Sequence, residues 1–121
     1  NNSESTRVWV VGFSFGAFIA LNLLMRRPEI QNFIAISPPA DKYDFSFLAP
    51  CPVSGMIIQG DNDDIVNETD VALFANKLDA QRSINIKYSK VKGADHFFTD
   101  KLELVNDSIN KYVSKTLITN I

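Results

Sequence analysis

Val8-Trp9-Val10-Val11-Gly12-Phe13-Ser14-Phe15-Gly16 is the stretch from which the rest of the chain can be read. Residues 8–12 form an apolar run without alternation, closed by glycine. This suits a strand buried on both faces, as in a parallel sheet. The following stretch, Ala17 to Arg27, is rich in good helix formers and apolar nearly all round, and Pro28 stops it. Such a helix is expected to be deeply buried. Arg26 and Arg27 close it, where their charge complements the negative end of the helix dipole. Between strand and helix lies Gly12-Phe13-Ser14-Phe15-Gly16. A serine nucleophile must be thrust out of the backbone so that base and substrate both reach it. A tight strand-to-helix turn does this, with tiny residues two before and two after the serine to avoid a clash. Gly12 and Gly16 supply them. The turn also aims the N–H of Phe15 at the space in front of Ser14, as one half of an oxyanion hole. The competing readings are a glycine-bounded turn that only packs, or a phosphate-cradling loop. The patterns G-x-x-x-x-G-K-[ST] and G-x-G-x-x-G, which the latter needs, are both absent.

Working outward, Phe33 to Ser37 reads as a second buried strand ended by Pro38-Pro39, and residues 40–53 as a loop carrying Tyr43, Phe45 and Phe47. Ser54 to Gln59 is a third strand, followed by the turn-rich loop Gly60-Asp61-Asn62-Asp63-Asp64. Asn67 can cap a helix running to about residue 80, with Asp70 in its first turn and Val71, Phe74, Ala75 and Leu78 at helical spacing. Ile84, Ile86 and Tyr88 alternate with Asn85, Lys87 and Ser89. That marks a half-exposed strand at a sheet edge, protected by Lys87 and Lys90. After the loop Gly93-Ala94-Asp95-His96, Asp100 followed by Glu103 resembles a capping box. It opens a last helix that runs to about residue 117 and turns Leu104, Val105, Ile109, Tyr112 and Val113 inward. Strands alternating with helices in this order predict an α/β fold: a parallel sheet of about four strands, flanked by helices, in one domain over residues 1–121.

His96 is the only histidine. It lies in a loop just past the last strand, at the end of the sheet where such folds place their ligands, and Ser14 lies at that same end. An imidazole there suits a general base for the Ser14 proton. One histidine without a cysteine cluster does not make a zinc site, so no metal is expected. A carboxylate must orient the imidazole and stabilise its charged form. Asp61, Asp63 and Asp64, just past the third strand, compete for that role. A calcium loop is disfavoured, because its glycine and its later glutamate are missing. Serine, acid and histidine each follow a strand of their own. That chain order is expected of α/β-hydrolases and not of the chymotrypsin or subtilisin types.

Composition excludes other classes. The chain has 121 residues, 45% hydrophobic and 21% charged, an ordinary balance for a globular domain, and nine Phe provide core mass. With a net charge of −2 and scattered basic residues, no nucleic-acid partner is expected. Cys51 is the only cysteine, so no intrachain disulfide can form; flanked by Pro50 and Pro52, it reads as structural. No segment reaches the roughly 18 apolar residues of a membrane span. The polar opening Asn1-Asn2-Ser3-Glu4-Ser5-Thr6 lacks a signal-peptide pattern and an initiator Met. The expectation is a cytoplasmic protein without membrane partners, and a fragment of a longer one.

Three motifs together resemble the α/β-hydrolase superfamily, most closely its small, lidless, dienelactone-hydrolase-like members. They are Gly12 to Ala17, Ile58-Gln59-Gly60-Asp61-Asn62-Asp63-Asp64-Ile65-Val66, and Gly93-Ala94-Asp95-His96-Phe97-Phe98. The resemblance runs from about Val8 to the end. It implies a G-x-x-D-x-x-V acid motif, matched by Gly60, Asp63 and Val66, and so favours Asp63; the family's G-x-x-H falls on Gly93 and His96. It further implies that residues 38–50, with Tyr43, Phe45 and Phe47, border the substrate pocket, although aromatic packing of a long loop explains them equally well. Family members begin with further strands and helices before the nucleophile strand, and a loop among these gives the second oxyanion N–H. The resemblance therefore implies the C-terminal half of a hydrolase fold. On that reading the isolated piece is a poor catalyst, since a lost oxyanion donor costs on the order of 10²–10³ in rate. It would also self-associate through its exposed first strand. The implied activity is hydrolysis of an ester or related bond of a small acyl substrate, through a Ser14–His96–Asp63 triad and an acyl-enzyme, without a cofactor. Alternatives are a peptidase or acyltransferase using the same three residues, or a non-catalytic hydrolase-like module kept for binding or assembly.

Overall fold

The computed structural model describes residues 8–119; the polar opening Asn1–Thr6 lies outside them. The elements are β1 (Val8–Phe13), α1 (Phe15–Leu24), β2 (Ile30–Ile36), a short 3₁₀ turn (Ser46–Leu48), β3 (Gly55–Gly60), α2 (Glu68–Asp79), β4 (Ile86–Val91) and α3 (Leu102–Thr119). The four strands form one sheet in the order β1-β2-β3-β4, every neighbouring pair parallel. This is the α/β architecture expected from the alternation of elements.

Alternate residues of the central strands serve two cores. Phe33, Ala35 and Ile57 face one layer with Leu21 and Leu24 of α1 and Val71, Ala75 and Leu78 of α2. Ile34, Met56 and Ile58 face the other, with Val105 of α3 and with Ala94 and Phe98 of the loop before it. A strand buried on both faces has no room for polar alternation, hence the unbroken runs. β4 has its polar and apolar residues in alternation and lies at an edge, with Lys87 and Lys90 exposed. Tyr88 Oη donates to Glu68 Oε2 at 2.7 Å and so ties that edge to α2. On the far side, Tyr112 of α3 packs edge-on against Trp9, with ring centroids 5.7 Å apart, and donates to the buried Asn32 Oδ1 at 2.8 Å.

Several local expectations are corrected. α1 ends at Leu24, not Arg27. The ring of a helical Pro28 would strike the carbonyl of residue 24, so the helix yields one turn before the proline. Arg26 and Arg27 therefore stand beyond the helix, and Arg27 Nε donates to Glu29 at 2.8 Å. α1 is not buried all round. Ala17, Ala20, Leu21 and Leu24 face the sheet, while Phe15, Ile19 and Leu23 are exposed on its outer face. β2 begins at Ile30, because Ile30 and the polar Asn32 already pair with Val8 and Trp9 of β1, with Gln31 out of register between them. At α3, Asp100 has a φ of 61°, outside the extended region that a capping residue occupies, so no capping box forms there. Leu104 is 50% exposed, since the inward stripe of α3 is Val105, Ile109, Tyr112 and Val113. Asn67 does cap α2, its side chain accepting from the Thr69 N–H at 2.8 Å. Among the described residues no helix is long and apolar enough to cross a membrane.

Candidate active site

Ser14 occupies the bend between β1 and α1 with φ 56° and ψ −124°, a left-handed conformation that a serine adopts only where its surroundings impose it. Its N–H donates to Ile36 O at 2.8 Å, which pins the bend to the end of β2. Gly12 makes the bend sterically feasible: a Cβ there would stand 2.3 Å from the carbonyl oxygen of Gly16. Gly16 differs from its expected role. A Cβ at that position would meet nothing within 4 Å, because it points away from the described chain. Phe15 opens α1, so its N–H belongs to the first helical turn, whose donors have no intrahelical acceptor. No hydrogen bond engages that N–H among the described residues, and it stands at the positive end of the helix, where an anion can be held.

His96 comes from the loop after β4 and is 3% exposed. Its Nε2 is 2.9 Å from Ser14 Oγ and its Nδ1 is 2.8 Å from Asp63 Oδ2. A carboxylate only accepts, so Nδ1 carries the proton and Nε2 is left to accept from the Ser14 hydroxyl. The ring is flanked by Phe13 and Phe97, with centroids 5.2 and 5.0 Å away. The backbone of the loop is anchored too: Ser37 Oγ, fully buried at the end of β2, donates to His96 O at 3.0 Å.

The three competing acids separate cleanly. Asp63 has a fully buried side chain. Its Oδ1 accepts the N–H groups of Ile65 and Val66, both at 2.8 Å, and its Oδ2 meets His96 and Gln59 Nε2, the latter at 2.9 Å. Burial alone would raise its pKa. The bonds from Val66, His96, Gln59 and Ile65 outweigh that and hold the carboxyl below the ordinary carboxylate range. Asp61 turns elsewhere, its Oδ1 accepting the Gly93 N–H at 2.6 Å, and Asp64 is exposed. Gly60 lets the acid loop and the histidine loop touch, for a Cβ there would lie 2.3 Å from Ala94 O. The Asn62 N–H donates to that same carbonyl at 3.0 Å.

Of the aromatics expected at a pocket, Tyr43 is exposed, with its ring centroid 5.4 Å from Phe15 beside the serine. Phe45 is 7% exposed and belongs to the core, packed on Phe18 and Phe74. Phe47 is half-buried against Phe18 and Phe45. Both rings pack within the loop, and Phe45 also lines the cleft beside it. A cleft of about 660 Å³ lies between this loop and α2; Tyr43, Phe74, Lys77 and Gln81 are among its lining residues, whereas Ser14 and His96 are not. Cys51 is buried, and burial raises its thiol pKa, as befits a structural residue. Among the described residues no three His, Cys, Asp or Glu side chains gather as metal ligands would. Sequence reasoning missed Ser37 and Gln59. Ser37 lies outside the three motifs, and Gln59, although inside the second, is not one of the positions to which the resemblance gives a role; only the polar residue that each places at the end of an apolar strand run hinted at a buried partner.

The chain is similar to known proteins over most of its length. The family model described as the dienelactone hydrolase family matches residues 1–117. The uncharacterised protein RP471 of Rickettsia prowazekii is 54% identical over a match of 117 residues, with 93% of this chain and 49% of that protein covered. The crystal structure of ATU1826 from Agrobacterium tumefaciens, a protein of unknown function, is 46% identical with a TM-score of 0.90, over 94% of this chain and 52% of that one. XC6422 from Xanthomonas campestris, described as an α/β serine hydrolase without a lid, is 31% identical with a TM-score of 0.79, over 93% of this chain and 49% of its own. The chain thus spans about half the length of the relatives it matches.

Proposed function

Because this chain belongs to the dienelactone hydrolase family, we propose that it carries the nucleophile, base and acid of a serine hydrolase acting on an ester or related acyl bond. The observation that supports this reading is the row Asp63 Oδ2, His96 Nδ1, His96 Nε2 and Ser14 Oγ, with bonds of 2.8 and 2.9 Å. Ser14 Oγ attacks the acyl carbonyl while His96 Nε2 takes its proton, and the imidazolium is stabilised by the buried Asp63 carboxylate. The tetrahedral oxyanion rests on the Phe15 N–H at the start of α1. Collapse expels the leaving group, which takes the proton from His96, and leaves an acyl-serine. A water activated by the same imidazole then releases the acid and restores Ser14. Tyr43, exposed beside Phe15, forms a wall for the acyl or alcohol portion. No step calls for a cofactor.

Reaction of the protein with a fluorophosphonate probe tests the proposal. Phosphonylation is expected on Ser14 and absent from Ser14→Ala, with His96→Ala reduced by several orders of magnitude in rate. Equal labelling of the wild type and Ser14→Ala would overturn it.

A further inference from the structure

Gln59, next to last in β3, is fully buried beneath the acid loop. Its Nε2 donates to Asp63 Oδ2 at 2.9 Å and to Gly60 O at 3.0 Å. Its Oε1 is buried with no hydrogen-bond partner among the described residues. Turning the amide over would not repair this, because the oxygen would then face two acceptors while the NH₂ group lost both of its own. The orientation is therefore dictated by Asp63 and Gly60. A buried amide with an unsatisfied oxygen is a liability in a core, where an apolar residue of similar shape would carry none. The compensating contribution is visible at Asp63. Ile65 and Val66 hold Oδ1, whereas His96 and Gln59 hold Oδ2. With two donors on each oxygen the carboxylate cannot turn, and the oxygen facing the imidazole stays charged and aimed.

We propose that Gln59 is a positioning residue for the hydrolytic site: its amide fixes Asp63 Oδ2 in line with His96 Nδ1. The inference rests on the catalytic reading above and acts through Asp63, since the hydrogen bonds of Gln59 go to Asp63 and Gly60 and not to Ser14 or His96. Two properties follow. Without the Gln59 N–H, the Asp63 carboxyl loses one of the bonds that hold its pKa down. The serine also becomes less reactive at saturating probe, while the concentration of probe at half-saturation stays put.

The test compares the full 121-residue chain with Gln59→Met, close in shape but lacking the donor, and with Gln59→Glu, which sets an acceptor against Oδ2. In Gln59→Met the maximal rate of fluorophosphonate labelling at Ser14 is expected to fall about tenfold, and the ¹³C-carboxyl titration midpoint of Asp63 to move up. Gln59→Glu should react more slowly still at neutral pH. Wild-type labelling in Gln59→Met with an unmoved Asp63 midpoint would reduce Gln59 to packing and overturn the inference. If Gln59→Met does not fold, the wild-type side-chain amide decides: its resonances must shift across the Asp63 titration, and their indifference to it would be fatal. Failure of the wild type to label at Ser14 would instead remove the catalytic reading, while the Asp63 titration still reports on the contact itself.

Discussion

At the scale of residues, the two glycines around Ser14 look equivalent in the sequence but are not so in space. Gly12→Ala would press a methyl group into the Gly16 carbonyl, a contact with backbone that cannot step aside. Urea denaturation should show a loss of about 1–3 kcal/mol, with slower probe labelling. Gly16 sits inside α1 facing open space, so Gly16→Ala should stabilise by about 0.5–1 kcal/mol, the usual difference between these residues in a helix. A comparable loss at both positions would contradict this account of the bend. Asp63 carries a pH signature. Its carboxyl pKa is depressed in the folded chain, so the stability it confers is complete above the ordinary carboxylate value of about 4. That contribution is lost as pH falls through the folded value. In Asp63→Asn the stability difference from wild type should therefore be largest near neutrality and shrink on acidification, as read by denaturation at a series of pH values. Labelling of Ser14 should fall on the order of 10⁴ as the imidazole tautomer is lost.

At the scale of elements, the site depends on strand ends that are held level. The tip of β2 anchors Ser14 through Ile36 O and anchors His96 through Ser37 Oγ, so one strand aligns two loops that are 82 residues apart in the chain. Ser37→Ala would leave the His96 carbonyl without that donor, at a cost of about 1–3 kcal/mol for a buried acceptor. It should slow labelling more than a destabilising substitution away from the site, such as Tyr88→Phe. Tyr88→Phe removes only the bond from β4 to Glu68 on α2; it should cost about 1 kcal/mol in thermal or urea unfolding and leave the labelling rate unchanged. The elements themselves were largely legible in the sequence. Apolar runs marked β1 to β3, alternation marked β4, and Asn67 marked the start of α2. Their ends were not. The early stop of α1 follows from the reach of Pro28 back to residue 24, and Asp100 misled because a capping pattern in sequence does not reveal a left-handed φ.

At the scale of the whole molecule, the apolar surface is uneven. β1 pairs only with β2 among the described residues, and beside its other edge Val11 and Phe13 are 56% and 40% exposed. Phe15, Ile19 and Leu23 continue the apolar surface along α1. An unpaired strand edge between two apolar faces is a template for association. The chain by itself is therefore expected to sediment as a species larger than its 13.5 kDa mass. Val11→Lys should shift it toward that mass, and a wild-type chain monomeric at high concentration would refute this. The apolar composition of α1 was plain in the sequence, but not which of its faces the sheet would leave bare. That depends on where the helix crosses β1 and β2, a relation between distant segments.

What the sequence determined by itself was whatever depends on near neighbours: parallel strands from unbroken apolar runs, the bend at Ser14 from Gly12, and the candidate nucleophile and base from a lone histidine past a strand. Motif resemblance pointed to Asp63, but three carboxylates within four residues differ only in where the folded loop turns them. Tertiary structure alone brought the Asp63 carboxylate to His96, sent Asp61 to Gly93, drew Phe45 into the core and placed Gln59 and Ser37 behind the reacting groups. Apart from Gln59 and Asp63, which are neighbours in sequence, those contacts join groups far apart in the chain through strand register and loop packing. Hydrogen bonds are satisfied or refused at that level, and no local pattern records it.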